Sequence, residues 1–578
     1  MSDQGLSNER LAVHQAADLI HESFADWRDR FGALTRTARR HFERRDWQAM
    51  QRDSARRLDL HGEGVGEAIA LLAPVLKGRL EDWVLWGAVR EAYAARIRDR
   101  HDASLAETFF NSIVRQLFRT VGVDPRVEFV GPPEAGAGPA AGAGVTITFR
   151  REGTDSGSIE RLVRTLLRHY EFVTGWDDFE GDAALIAARL AGDPATARLE
   201  AIDMALPVFF RGKGAYLVGR ARTPAGIVPV LLALANPEGK VVADALLLTE
   251  DEVSIVFSFA RSYFFVEMDR PRDLVEFLSA IMPRKPLAEL YNAVGCDKHG
   301  KTMLYRTLLH HLETSDDRFI IAPGQRGMVM SVFALQGLDI VFKVIRDQFA
   351  LPKTVTHDEV RAKYRLVFRH DRAGRLVDAQ EFEHLTFDRA RFEPDLLAML
   401  ADLAPSTVTT TADRVVIRHL YTERRLTPLD VYLKTAPEEK ARLAVLDYGQ
   451  VLRDLAATNI FPGDMLPKNF GVTRHGRLIF YDYDELSLLS DCRFRYLPPP
   501  ADDWEEGAAE PAFHVGERDI FPEEFRAFLG FKGAVLQEFL KEHGALLTPR
   551  FWTEMQERLA RGEVVDIYPY GAARRLRG

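Results

Sequence analysis

The residues best suited to chemistry lie near the C-terminal end, where the chain reads Gly463-Asp464-Met465-Leu466-Pro467-Lys468-Asn469-Phe470 and, thirteen residues after Asn469, Asp482-Tyr483-Asp484. This order suits phosphoryl transfer. Asp464 would accept the proton of an attacking hydroxyl, Asn469 would hold one metal ion, and Asp482 would hold the ions that bridge the phosphates. Lys468 lies inside the same quartet and joins the catalytic candidates. Asp484 adds a further carboxylate beside the metal position. Between the two clusters, Val472 to Tyr481 reads as two short strands around a His475-Gly476 turn, which would bring the ligands side by side.

A second cluster lies upstream. Ala322-Pro323-Gly324-Gln325-Arg326-Gly327-Met328 opens onto an apolar run, a turn at Gln336 to Asp339, and a second apolar run, Ile340 to Ile345. Glycines allow backbone to approach phosphate oxygens, and a strand hairpin leading away from them matches the lid over a nucleotide. Lys343 is the single charge inside the second run, so it needs an anionic partner, which the phosphates of ATP would supply. Loop, lysine, catalytic loop and metal aspartate follow one another in protein-kinase order. Val415 to Tyr421 then reads as the strand that ends at the hinge, with Thr422 to Leu429 as the hinge and its exit.

The chain resembles the isocitrate dehydrogenase kinase/phosphatase family over nearly its whole length. The resemblance rests on Ser254 to Phe264, on Ala288 to Tyr291 with Gly295 to His299, on Ala322 to Met330, and on Asn459 to Leu466, where Pro462-Gly463 stands in place of the usual His-Arg. Pro467 departs from the bulkier apolar residue of that family. The resemblance implies a bacterial bifunctional enzyme that phosphorylates and dephosphorylates a serine of isocitrate dehydrogenase, and so controls flux between the tricarboxylic acid cycle and the glyoxylate bypass. It implies ATP and ADP with Mg2+, or Mn2+ in its place, and AMP as an effector. It also places an active-site carboxylate at Asp378, although Gly374 to Glu383 taken alone reads as an exposed acidic turn. A kinase-fold small-molecule phosphotransferase, and a catalytically silent nucleotide-binding module, would share part of this residue set. The first would not need three hundred additional residues, and intact Lys343, Asn469 and Asp482 speak against the second.

The elements that must position these residues fall into two portions. Ile20, Phe24, Trp27, Phe31 and Leu34 recur at helical spacing with charged residues between them, and further helical stretches cover Val65 to Leu76 and Trp83 to Ile97. Gly131 to Gly144 is low in complexity and reads as a surface loop ahead of a strand at Val145 to Phe149. Ile227 to Ala235 and Val241 to Leu248 flank Pro237-Glu238-Gly239, a hairpin signal. The expected fold is α+β, with a mostly helical regulatory domain carrying a small sheet over residues 1–315 and a bilobal protein-kinase-like catalytic domain over 316–578.

Composition narrows the partners. A chain of 578 residues, 46% hydrophobic and 28% charged, has an ordinary soluble composition. Its net charge of −9 argues against nucleic acid, which calls for a basic surface. Cys296 and Cys492 are the only cysteines and lie far apart, so neither a disulfide framework nor a zinc site is expected. No apolar run is long enough to span a membrane, and the N-terminus lacks a basic segment followed by an apolar one, so the expected location is the cytoplasm. Ser490 to Trp504, with three consecutive prolines, stands where a kinase has its activation segment and is a candidate docking loop. Oligomeric state, including a homodimer, stays open.

Overall fold

The computed structural model describes residues 3–118, 121–131, 144–155, 157–259, 263–323, 327–349, 355–497 and 515–577. Gly324, Gln325 and Arg326 of the glycine loop, residues 132–143 of the low-complexity stretch and residues 498–504 of the docking loop lie outside them.

The amphipathic pattern at the N-terminus forms one long helix, Asp3–Arg44, followed by Trp47–Leu76, Trp83–Ile97 and Ala103–Phe118. Asp46 caps the second helix through the Ala49 amide at 3.0 Å. Ile20, Phe24, Trp27 and Phe31 are buried. Trp27 stacks on Phe109 of the fourth helix at 5.9 Å, so the aromatic stripe is packing surface.

The sheet of this portion is larger than the sequence suggested, with six strands in the order Thr146–Arg150, Ala201–Ala205, Gly214–Thr223, Gly226–Ala235, Val242–Leu247 and with Phe209–Arg211 on Gly214–Thr223. Ala201–Ala205 is buried at every position, so the alternation that betrays a half-exposed strand is absent from it. The expected hairpin pairs Gly226–Ala235 with Val242–Leu247.

The C-terminal portion has two lobes with separate cores. In the first, a six-stranded antiparallel sheet runs Ala379–Asp388, Arg414–Arg424, Ile340–Ile345, Met330–Leu335, Phe319–Ile321, with Val408–Thr410 on the second strand. Phe319, Phe333, Phe342, Phe387 and Phe392 fill one side of it. The second lobe gathers around the helix Glu438–Ala457, with Gly533–His543 and Pro549–Ala560 packed on it and Tyr448 at its centre. Pro549 opens the last of these helices, at a position where the missing amide hydrogen costs nothing. The architecture is α+β, with a helical N-terminal region followed by a bilobal, kinase-like region.

The strand expected to end at Tyr421 runs three residues further, to Arg424, because Thr422, Glu423 and Arg424 stay in register with Phe342, Val341 and Ile340. The hinge therefore starts at Arg425, whose amide bonds Asp339 O at 3.1 Å. Thr427–Pro428 then pairs with Gly471–Val472 of the second lobe.

Candidate active site

Four segments converge between the lobes. Strand Ile340–Ile345 carries Lys343, which is 8% exposed. A buried ammonium needs an anion, and the protein supplies one. Glu423 Oε2 lies 2.7 Å from Lys343 Nζ, and Nζ also donates to Tyr481 O at 3.1 Å. The reason is register. Lys343 faces Tyr421, which puts Glu423 on the same face one pleat further along. Tyr364, from the helix His357–His370, donates to the other carboxylate oxygen at 3.1 Å and stacks on Tyr421 at 3.8 Å. Burial raises the Glu423 carboxyl above its ordinary range, Lys343 and Tyr364 oppose the rise, and the Asp482 charge adds to it. Lys343 is therefore held in place by the protein itself.

The catalytic loop begins at Gly463, whose φ of +77° suits glycine. A β-carbon there would lie 2.5 Å from Glu485 O, so the Pro462-Gly463 pair lets the loop sit against the residue after Asp484. Asp464 is half-buried, and its Oδ1 accepts from the Leu466 amide at 3.0 Å. Pro467, the departure from the family pattern, opens a single 3-10 turn, Pro467–Asn469, after an extended Leu466. The turn is closed by Asn469 N on Leu466 O at 2.9 Å. Asn469 is 2% exposed, and its Nδ2 donates to Asp464 O at 3.3 Å. That bond turns Oδ1 to the other side, as an amide must be turned to ligate a cation.

The expected hairpin is present as Phe470–Val472 against Leu478–Phe480. Its far end joins Tyr481 N to Asn469 O at 3.2 Å and the Tyr481 hydroxyl to Lys468 O, so Asn469 and Asp482 stand side by side. Tyr483 is buried between the half-exposed Asp482 and Asp484, and its hydroxyl donates to Val377 O at 2.8 Å.

Asp378 is half-buried, and no exposed acidic turn forms. Phe480 N bonds Arg375 O at 2.8 Å and Val377 N bonds Phe480 O at 3.2 Å, a parallel bridge pairing Leu376 with Phe480. Asp378 is two residues past Leu376 as Asp482 is two past Phe480, so the bridge runs the two aspartates in the same direction. Arg375 anchors it with bonds of 2.9 and 2.8 Å to Asp447, 2.7 Å to Asp454 and 3.0 Å to Leu478 O.

Among the described residues no group of three or more His, Cys, Asp or Glu side chains sits at metal-binding geometry. A site made of one aspartate, one asparagine amide and phosphate oxygens would not form such a group, and the donor set here fits that kind. Of the glycine loop, the Ala322 amide bonds Val332 O at 3.1 Å, Pro323 and Gly327 are exposed, and Met328 is half-buried.

The N-terminal portion reaches this site. Glu289 bridges Lys285, whose side chain is fully buried, at 3.1 Å and Arg424 at 3.2 Å. His475, in the hairpin turn, meets Asp251 at 2.9 Å. Asn292 Nδ2 donates to Asp378 Oδ2 at 3.0 Å. A cavity of 340 Å³ lies along this seam, lined by residues that include Phe259, Leu304, Leu376, Asp378 and Glu423. Sequence reading passed over Glu423, Tyr364 and Asn292. The only signal for Glu423 was an acid continuing the alternation of the hinge strand.

The docking loop divides. Phe494 stacks on Trp552 at 5.3 Å and meets Phe461 edge-on, so it is half-buried against the core of the second lobe. Tyr496 is 64% exposed. Among the described residues no helix is long and apolar enough to cross a membrane.

The kinase-domain model of the isocitrate dehydrogenase kinase/phosphatase (AceK) family matches residues 317–572, and the regulatory-domain model of the same family matches residues 17–316. Over 580 aligned positions the chain is 49% identical to the isocitrate dehydrogenase kinase/phosphatase of Anaeromyxobacter sp. (strain Fw109-5), with 98% of each covered. It is 48% identical to the protein of the same name from Anaeromyxobacter dehalogenans (strain 2CP-C), with 99% of each covered. A solved ROP18 kinase domain in complex with AMP-PNP and sucrose aligns with 43% of this chain and 86% of its own at 14% identity and a TM-score of 0.23, too loose a superposition to bear on the fold. By two matched domain models and by relatives of the same length, the chain belongs to the isocitrate dehydrogenase kinase/phosphatase family.

Proposed function

We propose that this chain phosphorylates a serine of isocitrate dehydrogenase with ATP and removes the phosphoryl group again at the same site, setting flux between the tricarboxylic acid cycle and the glyoxylate bypass. The observation that carries the reading is the joining of Asn469 to Asp482 by the hairpin, beside a lysine held by Glu423 and by the carbonyl just ahead of Asp482. Asp464 takes the serine proton. Lys343 meets phosphate oxygens of ATP or ADP under the loop Ala322 to Met328, and Lys468 adds positive charge beside Asp464. Asn469 Oδ1 and Asp482 would hold Mg2+, or Mn2+ in its place. The metal would neutralise charge on the transferring phosphoryl group.

For the return direction, Asp378 and Asp484 orient the water or nucleotide that takes the acceptor's place. Their positions beside Asp482 support this role, since the bridge at Phe480 and the buried Tyr483 fix one on each side. The reading divides the chain into a regulatory domain, 1–315, and a catalytic domain, 316–578, acting in the cytoplasm, with AMP as an effector and a homodimer as an assembly to be tested. Incubation with labelled ATP, Mg2+ and purified isocitrate dehydrogenase tests it. Transfer of label to the dehydrogenase, followed by its release when ATP is replaced by ADP, is expected. Label passing to a small molecule instead would overturn the reading.

A further inference from the structure

The carboxylate assigned to the return direction is held from two sides. Gln380, two residues on in the strand Ala379–Asp388, donates to Asp378 Oδ2 at 3.3 Å. Asn292, from the other portion of the chain, donates to the same oxygen at the shorter distance of 3.0 Å. Both amides are buried, at 5% and 7% exposure. A hydrogen bond between a buried amide and a carboxylate fixes which oxygen faces inward and therefore where the other one points.

Asn292 has little freedom of its own. It lies on the helix Leu287–Ala293, and the helix Asp297–Thr314 closes over it at Gly300, where a β-carbon would come within 2.0 Å of Asn292 Oδ1 and 2.6 Å of Ala288 O. The same short helix carries Glu289, which pairs with Arg424 next to Glu423. One helix of the N-terminal portion thus touches the strand that steadies Lys343 and also bonds Asp378 directly. No bond from Asn292 to Asp464, Asn469 or Asp482 occurs among the described contacts.

We propose that Asn292 is a positioning residue for dephosphorylation, holding Asp378 in its working orientation, so that phosphoryl removal depends on this one bond from the helix Leu287–Ala293 while phosphoryl addition does not. This rests on the assignment of Asp378 to the return direction. It makes the balance between the two activities a property of the seam between the two portions of the chain.

The test uses the full-length protein carrying Asn292→Leu, which keeps the volume and removes the donor, or Asn292→Ala, with Asp378→Asn as a reference. Thermal melting reports whether each variant is folded, and both directions are measured at saturating nucleotide and metal over a range of isocitrate dehydrogenase or its phosphorylated form. Loss of one hydrogen bond to a charged group corresponds to a fall of about ten- to a hundredfold. That fall is expected in kcat for dephosphorylation, with KM for the phosphorylated substrate and kcat for phosphorylation both within about twofold of the parent. A merely structural role would lower both directions together, and that result overturns the inference, as does parental dephosphorylation in both Asn292 variants. If Asp378→Asn itself keeps full dephosphorylation, the assignment of Asp378 fails and the inference falls with it. If Asp378→Asn loses dephosphorylation while the Asn292 variants keep it, the inference alone fails.

Discussion

Replacing Glu423 by Gln changes one charge and almost no volume, and its consequences follow from the contacts of Lys343. Lys343 is 8% exposed, and its ammonium meets Glu423 at 2.7 Å, Tyr481 O at 3.1 Å and the Tyr481 ring at 5.3 Å. Removing the carboxylate charge leaves a buried cation with neutral acceptors only, the amide oxygen, the Tyr481 carbonyl and the face of the Tyr481 ring. Breaking a buried pair from one side costs about 3–5 kcal/mol, a large part of the roughly 5–15 kcal/mol that stabilises a folded domain. At about 2–4 °C per kcal/mol, the kinase-like region should melt about 6–20 °C lower in the absence of nucleotide. Saturating nucleotide brings phosphate to the orphaned lysine, so the rise in melting temperature on adding it should be larger in Glu423→Gln than in the parent. The double variant Lys343→Met, Glu423→Gln removes both charges and should recover much of the stability, while remaining inactive because no cation meets the phosphates. Calorimetry of the four proteins closes a double-mutant cycle, in which the double variant should cost at least about 3 kcal/mol less than the sum of the two single changes. Melting of Glu423→Gln within a degree of the parent would refute the idea that Lys343 depends on this partner.

Asp464→Ala should abolish phosphorylation and leave nucleotide affinity within about twofold, because the role proposed for this residue is toward the hydroxyl and not the nucleotide; retained activity counts against that role. Asp482→Ala should lose both directions together, and dephosphorylation surviving intact would locate that chemistry elsewhere. At the seam of the hairpin, burial pushes the Asp447 carboxyl up, yet Arg375 and the Leu478 amide outweigh it and hold the group below the ordinary carboxylate range. The stability it contributes is present above about pH 4 and lost as pH falls through its folded value; the acid limb of a melting-temperature profile should therefore flatten in Arg375→Met if the reasoning holds. For the docking loop, Phe494 packs on the core, so a Gly/Ser replacement should begin at Tyr496. Spanning 496–504, it should raise KM for isocitrate dehydrogenase in both directions without changing intrinsic ATP hydrolysis, and equal loss of hydrolysis would show the segment to be structural.

How far the site could be read from sequence depended on the distance over which each contact is encoded. Asp464, Asn469 and Asp482 were legible because local geometry joins them. One 3-10 turn and one hairpin, with Gly476 at φ +77°, span the whole interval, and each leaves a short-range signature. Gly463 was visible as a family oddity, but its reason was not, since the obstacle is the backbone of Glu485, which sequence order does not place against it. The long N-terminal helix was legible for the same local reason as the hairpin, whereas the fully buried strand Ala201–Ala205 gave no alternation to read. The partner of Lys343 was hidden more deeply. Cross-strand register joins it to a residue eighty positions away, and a shift of one residue would have put Glu423 on the opposite face of the sheet. Asp378 required a parallel bridge between Leu376 and Phe480, and its bond to Asn292 required two portions of the chain to dock. Candidate ligands joined by local turns can be read from spacing alone. The groups that hold the lysine and the second carboxylate in place are fixed by register and docking, and the docked contacts, Asn292 on Asp378 and Glu289 on Arg424, are where the N-terminal portion reaches the candidate site.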